Sequence, residues 1–311
     1  MRRPMSATPP AIPSVAGAAA RRVALRAALA SGSPLVLPGA SDAAGAMLVE
    51  RAGFSACYAT GAGIANAQFG LPDIGLVSQT EMVAQVSRMV AAMSLPVVAD
   101  ADTGFGGVPS VIRTIQAYER AGAAAVQLED QTYPKRCGHF DGHTLIEAAE
   151  MQAKVAAAVA AREDPNLLII ARTDARGVLG LDEAIRRGHA YLKAGADALF
   201  LEAPTSVEEM QRIGAEFAGV PLVANIVEGG KTPNLSVAEL HAMGFTIALF
   251  ANFLMRAMLF AGQQALAHLG AAQETDSFAD RMLSWRDRQE MFRLAEFGSI
   301  EDDYLARWSS P

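Results

Sequence analysis

The sequence predicts an α/β fold, a TIM-type (β/α)₈ barrel with an extra C-terminal helical segment. Eight short apolar runs recur along the chain, each followed by polar or glycine residues and a helix-length segment. The runs lack the alternation of half-exposed strands, as expected of parallel strands buried on both faces. Several runs follow a glycine, which suits the left-handed position that ends a helix. The glycine fingerprint of a doubly wound nucleotide-binding sheet is absent from the sequence.

In chain order, the predicted strands are LVLPGA (35–40), ACYATG (56–61), PVVADAD (96–102), AAVQLED (124–130), LLIIARTD (167–174), ALFLEA (198–203), PLVANIVEG (221–229) and TIALFA (246–251). Their spacing is fairly even, except for longer intervals between the second and third runs and between the fourth and fifth. Added length between a strand and its helix lies on the C-terminal face of a barrel, where active sites are found. Both long connections are therefore predicted to be functional loops.

Two further segments flank the predicted barrel. We expect an N-terminal extension and covering helix over residues 1–34, the barrel over 35–265 and a C-terminal helical tail over 266–311, which would pack against another subunit. The helix predicted at AAARRVALRAALA (18–30) has two interpretations. It covers the base of the barrel, or its arginine-rich, acid-free composition marks a mitochondrial transit peptide.

Composition limits the function classes. The 311 residues are 51% hydrophobic and 19% charged, enough for a large core and unlike disordered, collagenous or coiled-coil chains. The net charge is −7, and because residues 1–41 hold five arginines and no acid, residues 42–311 carry −12. Nucleic-acid binding is not expected of such an acidic body. Two cysteines and the absence of a long apolar run predict a cytoplasmic protein that does not span a membrane.

Polar residues collect where the predicted strands end, which places them on one rim of the barrel. Burying several carboxylates together is costly unless a metal ion or arginines compensate their charge. Asp100, Asp102 and Glu129 form an all-oxygen set that suits Mg²⁺ or Mn²⁺, so zinc is not expected at this rim. The alternative is that individual acids pair with arginines or cap helices. The rim set comprises Tyr58, Thr60, Asp100, Asp102, Glu129, Asp130, Arg172, Asp174, Glu202, Asn225 and Glu228.

The long connection after the fourth strand, QTYPKRCGHFDGH (131–143), contains a cysteine among basic residues. Cations near Cys137 would lower the pKa of its thiol, and glycine-flanked loops can close over a ligand. The alternative is an incidental cysteine in a surface loop. Cys57, inside an apolar run, is predicted to be an ordinary core residue.

Eight stretches of the chain form a recognisable set of motifs. They are TGAG (60–63), GLPDIGL (70–76), DADTGFGG (100–107), LEDQ (128–131), KRCGH (135–139), ARTDA (171–175), LFLEAP (199–204) and NIVEGGKTP (225–233). They cover most of residues 35–260 in order, and KRCGH and DADTGFGG are the most specific of them. On these motifs the sequence resembles the isocitrate lyase/phosphoenolpyruvate mutase superfamily, in particular its branch of lyases for 2-methylisocitrate and 2,3-dimethylmalate.

The resemblance implies roles for individual residues. The counterparts of Asp100 and Asp102 hold Mg²⁺, with Glu129 and Asp73 nearby. Cys137 marks the carbon–carbon lyase branch. In the mechanism that we expect, Cys137 acts as general acid, an arginine such as Arg172 stabilises the charge of the leaving fragment, and Tyr58 and Glu202 are the candidate bases. The residues implied in substrate binding are Thr60, Gly61, Ala62, Gly138, His139, Arg172, Glu202, Asn225, Arg256 and Arg288. The family also implies a homotetramer with exchanged C-terminal helices.

The expected activity is Mg²⁺-dependent cleavage of a 2-hydroxy di- or tricarboxylate by retro-aldol or Claisen-type chemistry, either 2-methylisocitrate to pyruvate and succinate or a 2,3-dimethylmalate-like substrate. Three departures leave the substrate open, namely Ala62, His143 and EGGKTP (228–233). The nearest alternatives are a carboxyphosphonoenolpyruvate phosphonomutase and an oxaloacetate decarboxylase. Further alternatives are a ketopantoate hydroxymethyltransferase-like enzyme and a barrel kept only for assembly.

Overall fold

A computed structural model describes residues 16–136, 138 and 142–308. Two compact units are distinguished, one over Ala16–Ala257 and one that begins at Met258. The strands are β1 Leu35–Ala40, β2 Cys57–Ala59, β3 Val97–Asp100, β4 Ala125–Glu129, β5 Leu168–Thr173, β6 Ala198–Leu201, β7 Leu222–Asn225 and β8 Ile247–Phe250. The helices are α1 Ala18–Ala30, α2 Ala43–Arg51, α3 Gly61–Phe69, α4 Gln79–Ala92, α5 Val108–Arg120, α6 Ala148–Ala161, α7 Ala175–Leu179, α8 Leu181–Lys193, α9 Val207–Glu216, α10 Val237–Ala242, α11 Phe253–Ala272, α12 Trp285–Met291 and α13 Leu294–Trp308, with a 3₁₀ helix at Asp276–Arg281.

The eight strands form a closed parallel barrel in sequence order, so the predicted TIM-type fold is confirmed. Closure joins the first strand to the last, with Leu35 opposite Ile247 and Leu37 opposite Leu249. All the observed strands except β1 are shorter than their predicted runs, and β2 and β3 end early for a local reason. The Thr60 side chain accepts a hydrogen bond from the Gly63 N–H and caps α3, and Asp102 adopts a left-handed backbone (φ 47°) that turns the chain away from β3.

Buried apolar side chains form two clusters. Alternate strand residues such as Leu37, Val98 and Phe200 fill the barrel, whereas their neighbours such as Cys57 face the surrounding helices. One polar pair interrupts the interior, since the Tyr58 hydroxyl donates to Gln127 Oε1 (3.1 Å). Cys57 is fully buried, as predicted.

Helix α1 lies at the base of the barrel, where the strands begin. Leu25 packs into the interior cluster. The guanidinium of Arg21 donates to the carbonyls of residues 90 and 93, that of Arg22 to residues 119 and 123, and that of Arg26 to residues 165 and 166. These carbonyls lie just before β3, β4 and β5 or at the ends of the helices that precede those strands. The three arginines therefore attach α1 to backbone carbonyl groups at the base of the barrel.

The second unit is helical and keeps large apolar side chains exposed, among them Phe260, Leu266 and Trp285. Within it the His268 and Phe278 rings lie 5.0 Å apart. Of the helices in the described part of the chain, none has both the length and the hydropathy that crossing a membrane requires.

Candidate active site

A cavity opens where the barrel strands end, at the predicted rim. Its lining includes acids and cations and also apolar side chains, those of Phe200, Val227, Leu249 and Ala251. The full lining is Tyr58, Thr60, Ala62, Asp73, Asp100, Glu129, Lys135, Arg136, Gly138, Arg172, Phe200, Glu202, Asn225, Val227, Leu249, Ala251 and Asn252. Ten of the predicted site residues are therefore brought together here, from β2 through β7 and the two long loops.

A short turn after β3 holds the Asp100 carboxylate in place. The Asp102 backbone N–H donates to Asp100 Oδ1 (3.1 Å), and the Gly61 N–H donates to Asp100 Oδ2 (3.3 Å). A Cβ at Gly61 would lie 2.8 Å from Asp100 Oδ2, so only glycine allows this approach. Burial raises the pKa of Asp102 to about 6 and the pKa of Glu129 well above its usual range.

A lysine from the long loop after β4 reaches into this cluster. Lys135 Nζ lies 2.8 Å from Asp102 Oδ1 and also contacts Asp73 Oδ1. Burial disfavours the charged ammonium, but the neighbouring Asp102 and Asp73 carboxylates outweigh it and raise the pKa of Lys135 well above its usual range. Lys135 is therefore a cation that offsets part of the acidic charge at the rim.

The chemistry of the cluster fits a hard divalent cation. Glu129 Oε1 and Asn225 Oδ1 are buried and have no hydrogen-bond partner among the described residues. Within that same part of the chain, no group of three or more carboxylate, imidazole or thiol side chains is placed to hold a metal ion. Mg²⁺ typically binds only one or two protein carboxylates and keeps water or substrate oxygens as its other ligands. Asp100 and Asp102 fit that pattern, and the wider predicted set with Glu129 and Asp73 stays a prediction.

Arg172, at the end of β5, is the central cation of the rim. Its Nε and Nη2 donate to the two Asp174 carboxylate oxygens at 2.9 and 2.8 Å. Glu129 Oε2 lies 3.4 Å from Nε, and Glu202 Oε2 lies 3.6 Å from Nη1. Although burial opposes the charged form, Asp174 and Glu202 raise the pKa of Arg172 well above its usual range. The guanidinium is thus a fixed positive charge, oriented bidentately by Asp174.

The two predicted bases differ in their surroundings. Tyr58 is deep in the cavity, where burial and then the Asp100 charge raise the pKa of its phenol well above the usual range. Its proton is directed at Gln127. Glu202 is 1% exposed and its Oε1 accepts a hydrogen bond from Asn225 Nδ2 (3.3 Å). Of the two, only Glu202 presents a carboxylate to the cavity.

The loop after β4 returns to Arg172 at Gly138. A Cβ built on Gly138 would lie 2.4 Å from Arg172 Nη2, 2.5 Å from Asp174 Oδ1 and 2.6 Å from Glu202 Cγ. The main chain at this position therefore packs directly on the ion pair, with no room for a side chain. Cys137 and His139, on either side of it, lie outside the described residues.

Three further predicted residues of the unit Ala16–Ala257, namely Gly61, Asp102 and Arg256, are not among the residues that line the cavity. Gly61 and Asp102 contact the lining residue Asp100 through the hydrogen bonds described above. Arg256 is half-exposed and its Nη1 donates to Glu228 Oε2 (2.9 Å). Arg288 belongs to the second unit, where its guanidinium carbon lies 4.2 Å from the centre of the Trp285 ring. The substrate-binding roles of these residues stay predictions.

Some lining residues were not proposed as site residues from the sequence, and they divide into apolar residues of the strand ends and polar residues of the loops. Val227 and Asn252 follow β7 and β8 closely, so the rule that rim residues follow strand ends could have found them. Asn252 Oδ1 accepts a hydrogen bond from the Thr60 hydroxyl (3.2 Å). No spacing signal pairs Lys135 with Asp73, because the two come from different long loops. The residues missed are Lys135, Arg136, Phe200, Val227, Leu249, Ala251 and Asn252.

A closed (β/α)₈ barrel whose rim combines a buried acid pair, an oriented arginine and a long loop is the arrangement of an enzyme, and its charged groups suit a small anionic ligand. The chain belongs to the phosphoenolpyruvate phosphomutase family, whose model matches residues 25–269. The predicted superfamily is confirmed.

Two curated relatives are similar over most of their length. The 2,3-dimethylmalate lyase of Eubacterium barkeri is 42% identical over 284 residues, 90% of this chain and 96% of the relative. The 2-methylisocitrate lyase of Aeropyrum pernix is 41% identical over 267 residues, 86% of this chain and 84% of the relative. Both names denote carbon–carbon lyases, so the predicted enzyme class is confirmed.

Solved structures agree with these relatives. A crystal structure of 2,3-dimethylmalate lyase superimposes with a TM-score of 0.85 at 35% identity, covering 94% of this chain and 96% of that one. Phosphonopyruvate hydrolase in complex with oxalate and Mg²⁺ superimposes with a TM-score of 0.82 at 32% identity, covering 92% of this chain and 99% of that one. Magnesium and a small dicarboxylate are thus bound by a structural relative.

Proposed function

We propose that this protein is a Mg²⁺-dependent lyase that cleaves the C2–C3 bond of a 2-hydroxy dicarboxylate of the 2,3-dimethylmalate type. The products are pyruvate and a second carboxylate, which is propionate for 2,3-dimethylmalate. The observation that carries the proposal is the rim cavity, whose lining combines Asp100, the hydrogen-bond partner of Asp102, with Arg172 and several apolar side chains. This combination suits a substrate that carries both carboxylates and alkyl groups.

The metal would be held by Asp100 and Asp102, with Glu129 and Asp73 close by. When bound, Mg²⁺ supplies positive charge that stabilises the oxyanion formed as the carbon–carbon bond breaks. Substrate binding and the proton transfers are assigned to side chains of the protein.

Arg172 binds a substrate carboxylate and stabilises the enediolate charge that develops on the leaving fragment, for which its fixed guanidinium is suited. Glu202 accepts the proton of the substrate hydroxyl, since Tyr58 already directs its own proton at Gln127 and keeps a neutral phenol. The C2–C3 electron pair passes to the leaving fragment. Cys137 then protonates the former C3 as general acid, which completes the balance of one proton removed and one delivered.

The position of Arg256 favours a dicarboxylate over a tricarboxylate substrate. A third carboxylate needs a further cation, but Arg256 is paired with Glu228 and lies outside the cavity lining. The 42% identity to a 2,3-dimethylmalate lyase and the EGGKTP (228–233) segment also support a substrate of this type.

We also propose a cytoplasmic homotetramer. The outer surface of the barrel near β1 and β8 contains an apolar groove of about 550 Å³, lined by residues that include Val36, Phe54, Phe250 and Phe253. In a complete (β/α)₈ barrel a helix covers each strand. A helix from another copy of the chain would bury this groove, in line with the exposed apolar side chains of the second unit. A free, buried Cys57 suits a reducing compartment.

A substrate screen tests the proposed function. The purified protein is incubated with Mg²⁺ and, separately, 2,3-dimethylmalate, 2-methylisocitrate, isocitrate or oxaloacetate, and keto-acid release is followed with and without EDTA. We expect the highest kcat/KM with 2,3-dimethylmalate and loss of turnover in EDTA. Pyruvate release from oxaloacetate alone would instead support the decarboxylase alternative. Rearrangement of phosphonopyruvate, tested as a further substrate and followed by phosphorus NMR, would support the mutase alternative.

A further inference from the structure

Gln131 uses its whole side-chain amide to hold the main chain of another residue. Its Nε2 donates to the Arg136 carbonyl (2.8 Å), and the Arg136 N–H donates to its Oε1 (2.8 Å). Gln131 is 1% exposed, so water does not compete for these hydrogen bonds. The amide therefore makes the same donor and acceptor pair that a neighbouring strand would make.

The backbone of Gln131 is itself fixed. It forms an antiparallel bridge with Leu145 at the far end of the loop. On either side, the Ile146 N–H donates to the Asp130 carbonyl (2.9 Å) and the Thr132 N–H donates to the Thr144 carbonyl (2.8 Å). Gln131 is thus a rigid point at the end of β4, against which the main chain of Arg136 is held.

The residue that Gln131 holds is next to the loop cysteine. Arg136 immediately precedes Cys137, and both Arg136 and Gly138 line the cavity. We propose that Gln131 is a positioning residue for the reaction: its amide fixes the main chain of Arg136, the cavity-lining residue that immediately precedes Cys137 in the sequence. This inference rests on the proposed function in one respect, the role of Cys137 as general acid.

The test replaces Gln131 with methionine, which has a similar length but makes neither hydrogen bond. Gln85→Met is the matched control, because Gln85 is also buried and uses both ends of its amide, donating to the Ser41 carbonyl (3.0 Å) and accepting from Arg88 Nη1 (3.0 Å), at a distance along the chain from the loop. Both full-length variants are compared with the unmodified protein in Mg²⁺. The measurements are kcat and KM for 2,3-dimethylmalate, thermal unfolding, and the rate of alkylation by iodoacetamide across pH.

Alkylation reports on Cys137 alone, because the only other cysteine, Cys57, is fully buried and burial raises the pKa of its thiol to about 12. In Gln131→Met we expect kcat to fall about tenfold, equivalent to about 1.4 kcal/mol, with KM within about twofold of the original value. We expect the alkylation rate of Cys137 to change at least about threefold, because its surroundings are no longer fixed. Gln85→Met should change neither quantity.

Unchanged alkylation kinetics in Gln131→Met would overturn the inference, even if kcat fell, since the amide would then act on something other than Cys137. Equal effects of both variants would also overturn it, because a general loss of stability would explain them. If 2,3-dimethylmalate is not turned over at all, the proposed function fails separately and the alkylation comparison still decides the role of Gln131.

Discussion

Replacing Gly138 with alanine should disable the site without unfolding the barrel. The added Cβ would lie 2.4 Å from Arg172 Nη2 and 2.5 Å from Asp174 Oδ1, closer than real Cβ atoms come to other heavy atoms. Either Arg172 leaves its bidentate contact with Asp174, or the loop withdraws from the cavity. Both responses remove an interaction that the site depends on.

The expected fall in kcat/KM can be estimated from the contact that the added Cβ disrupts, the one between Arg172 and Asp174. Arg172 and Asp174 share two charge-assisted hydrogen bonds at 2.9 and 2.8 Å. Losing one such bond costs about 2 to 3 kcal/mol, which corresponds to a fall of about 30- to 160-fold in kcat/KM. The unfolding temperature should change little, because the barrel strands and their registers do not involve Gly138.

Keto-acid release from 2,3-dimethylmalate in Mg²⁺ provides the assay, with thermal unfolding measured on the same samples. Gly107→Ala is the matched control, since a Cβ at Gly107 meets nothing within 4 Å and its φ of −76° is ordinary for alanine. Near-normal kcat/KM in Gly138→Ala, with Gly107→Ala also normal, would refute the conclusion that the loop packs on the Arg172 pair during turnover.

Three further predictions concern the acid, the base of the barrel and the buried thiol. Cys137→Ser should lower turnover at least about 100-fold, as for loss of a general acid, and near-normal steady-state rates would remove that role. Arg22→Met should lower the free energy of unfolding by about 3 kcal/mol, because Glu119 and Asp164 lose a buried partner. Chemical denaturation measures this loss, and kcat at low temperature should stay unchanged. A variant as stable as the unmodified protein would contradict the prediction. Burial raises the pKa of Cys57 to about 12, so its thiolate is scarce at pH 8. Mass spectrometry should therefore find one alkylated cysteine in the native protein and two after denaturation. Two alkylated cysteines in the native protein would show that Cys57 is accessible.

The barrel could be predicted because its signals are local. The run predicted at 167–174 corresponds to β5 at Leu168–Thr173. Such a run of apolar residues can be recognised from the local sequence, without knowing which distant parts of the chain it contacts. The second run ends earlier than predicted, because Thr60 uses its side chain as a helix cap, and cap geometry competes with strand continuation.

Much of the site could also be predicted, because the rim position of Asp100, Glu129 and Arg172 follows from parallel strand order. The contacts of the long loops could not be predicted from the sequence. Lys135 beside Asp73, and Gly138 on Arg172, depend on how two irregular connections fold over the rim, and no periodic pattern encodes such a meeting.

The pairing of β1 with β8 has a consequence for how the chain reaches its folded state. Leu35 and Ile247 are neighbours in the barrel but belong to its first and last strands, so the loop that they close is nearly the whole barrel. Non-local pairings of this kind slow folding, because the entropy of closure is lost before the contact forms. Until Ile247–Phe250 is synthesised, β1 keeps an unpaired edge rich in Leu and Val, which is a surface prone to association. Chains that stop short of residue 247 should therefore aggregate rather than form a smaller stable barrel.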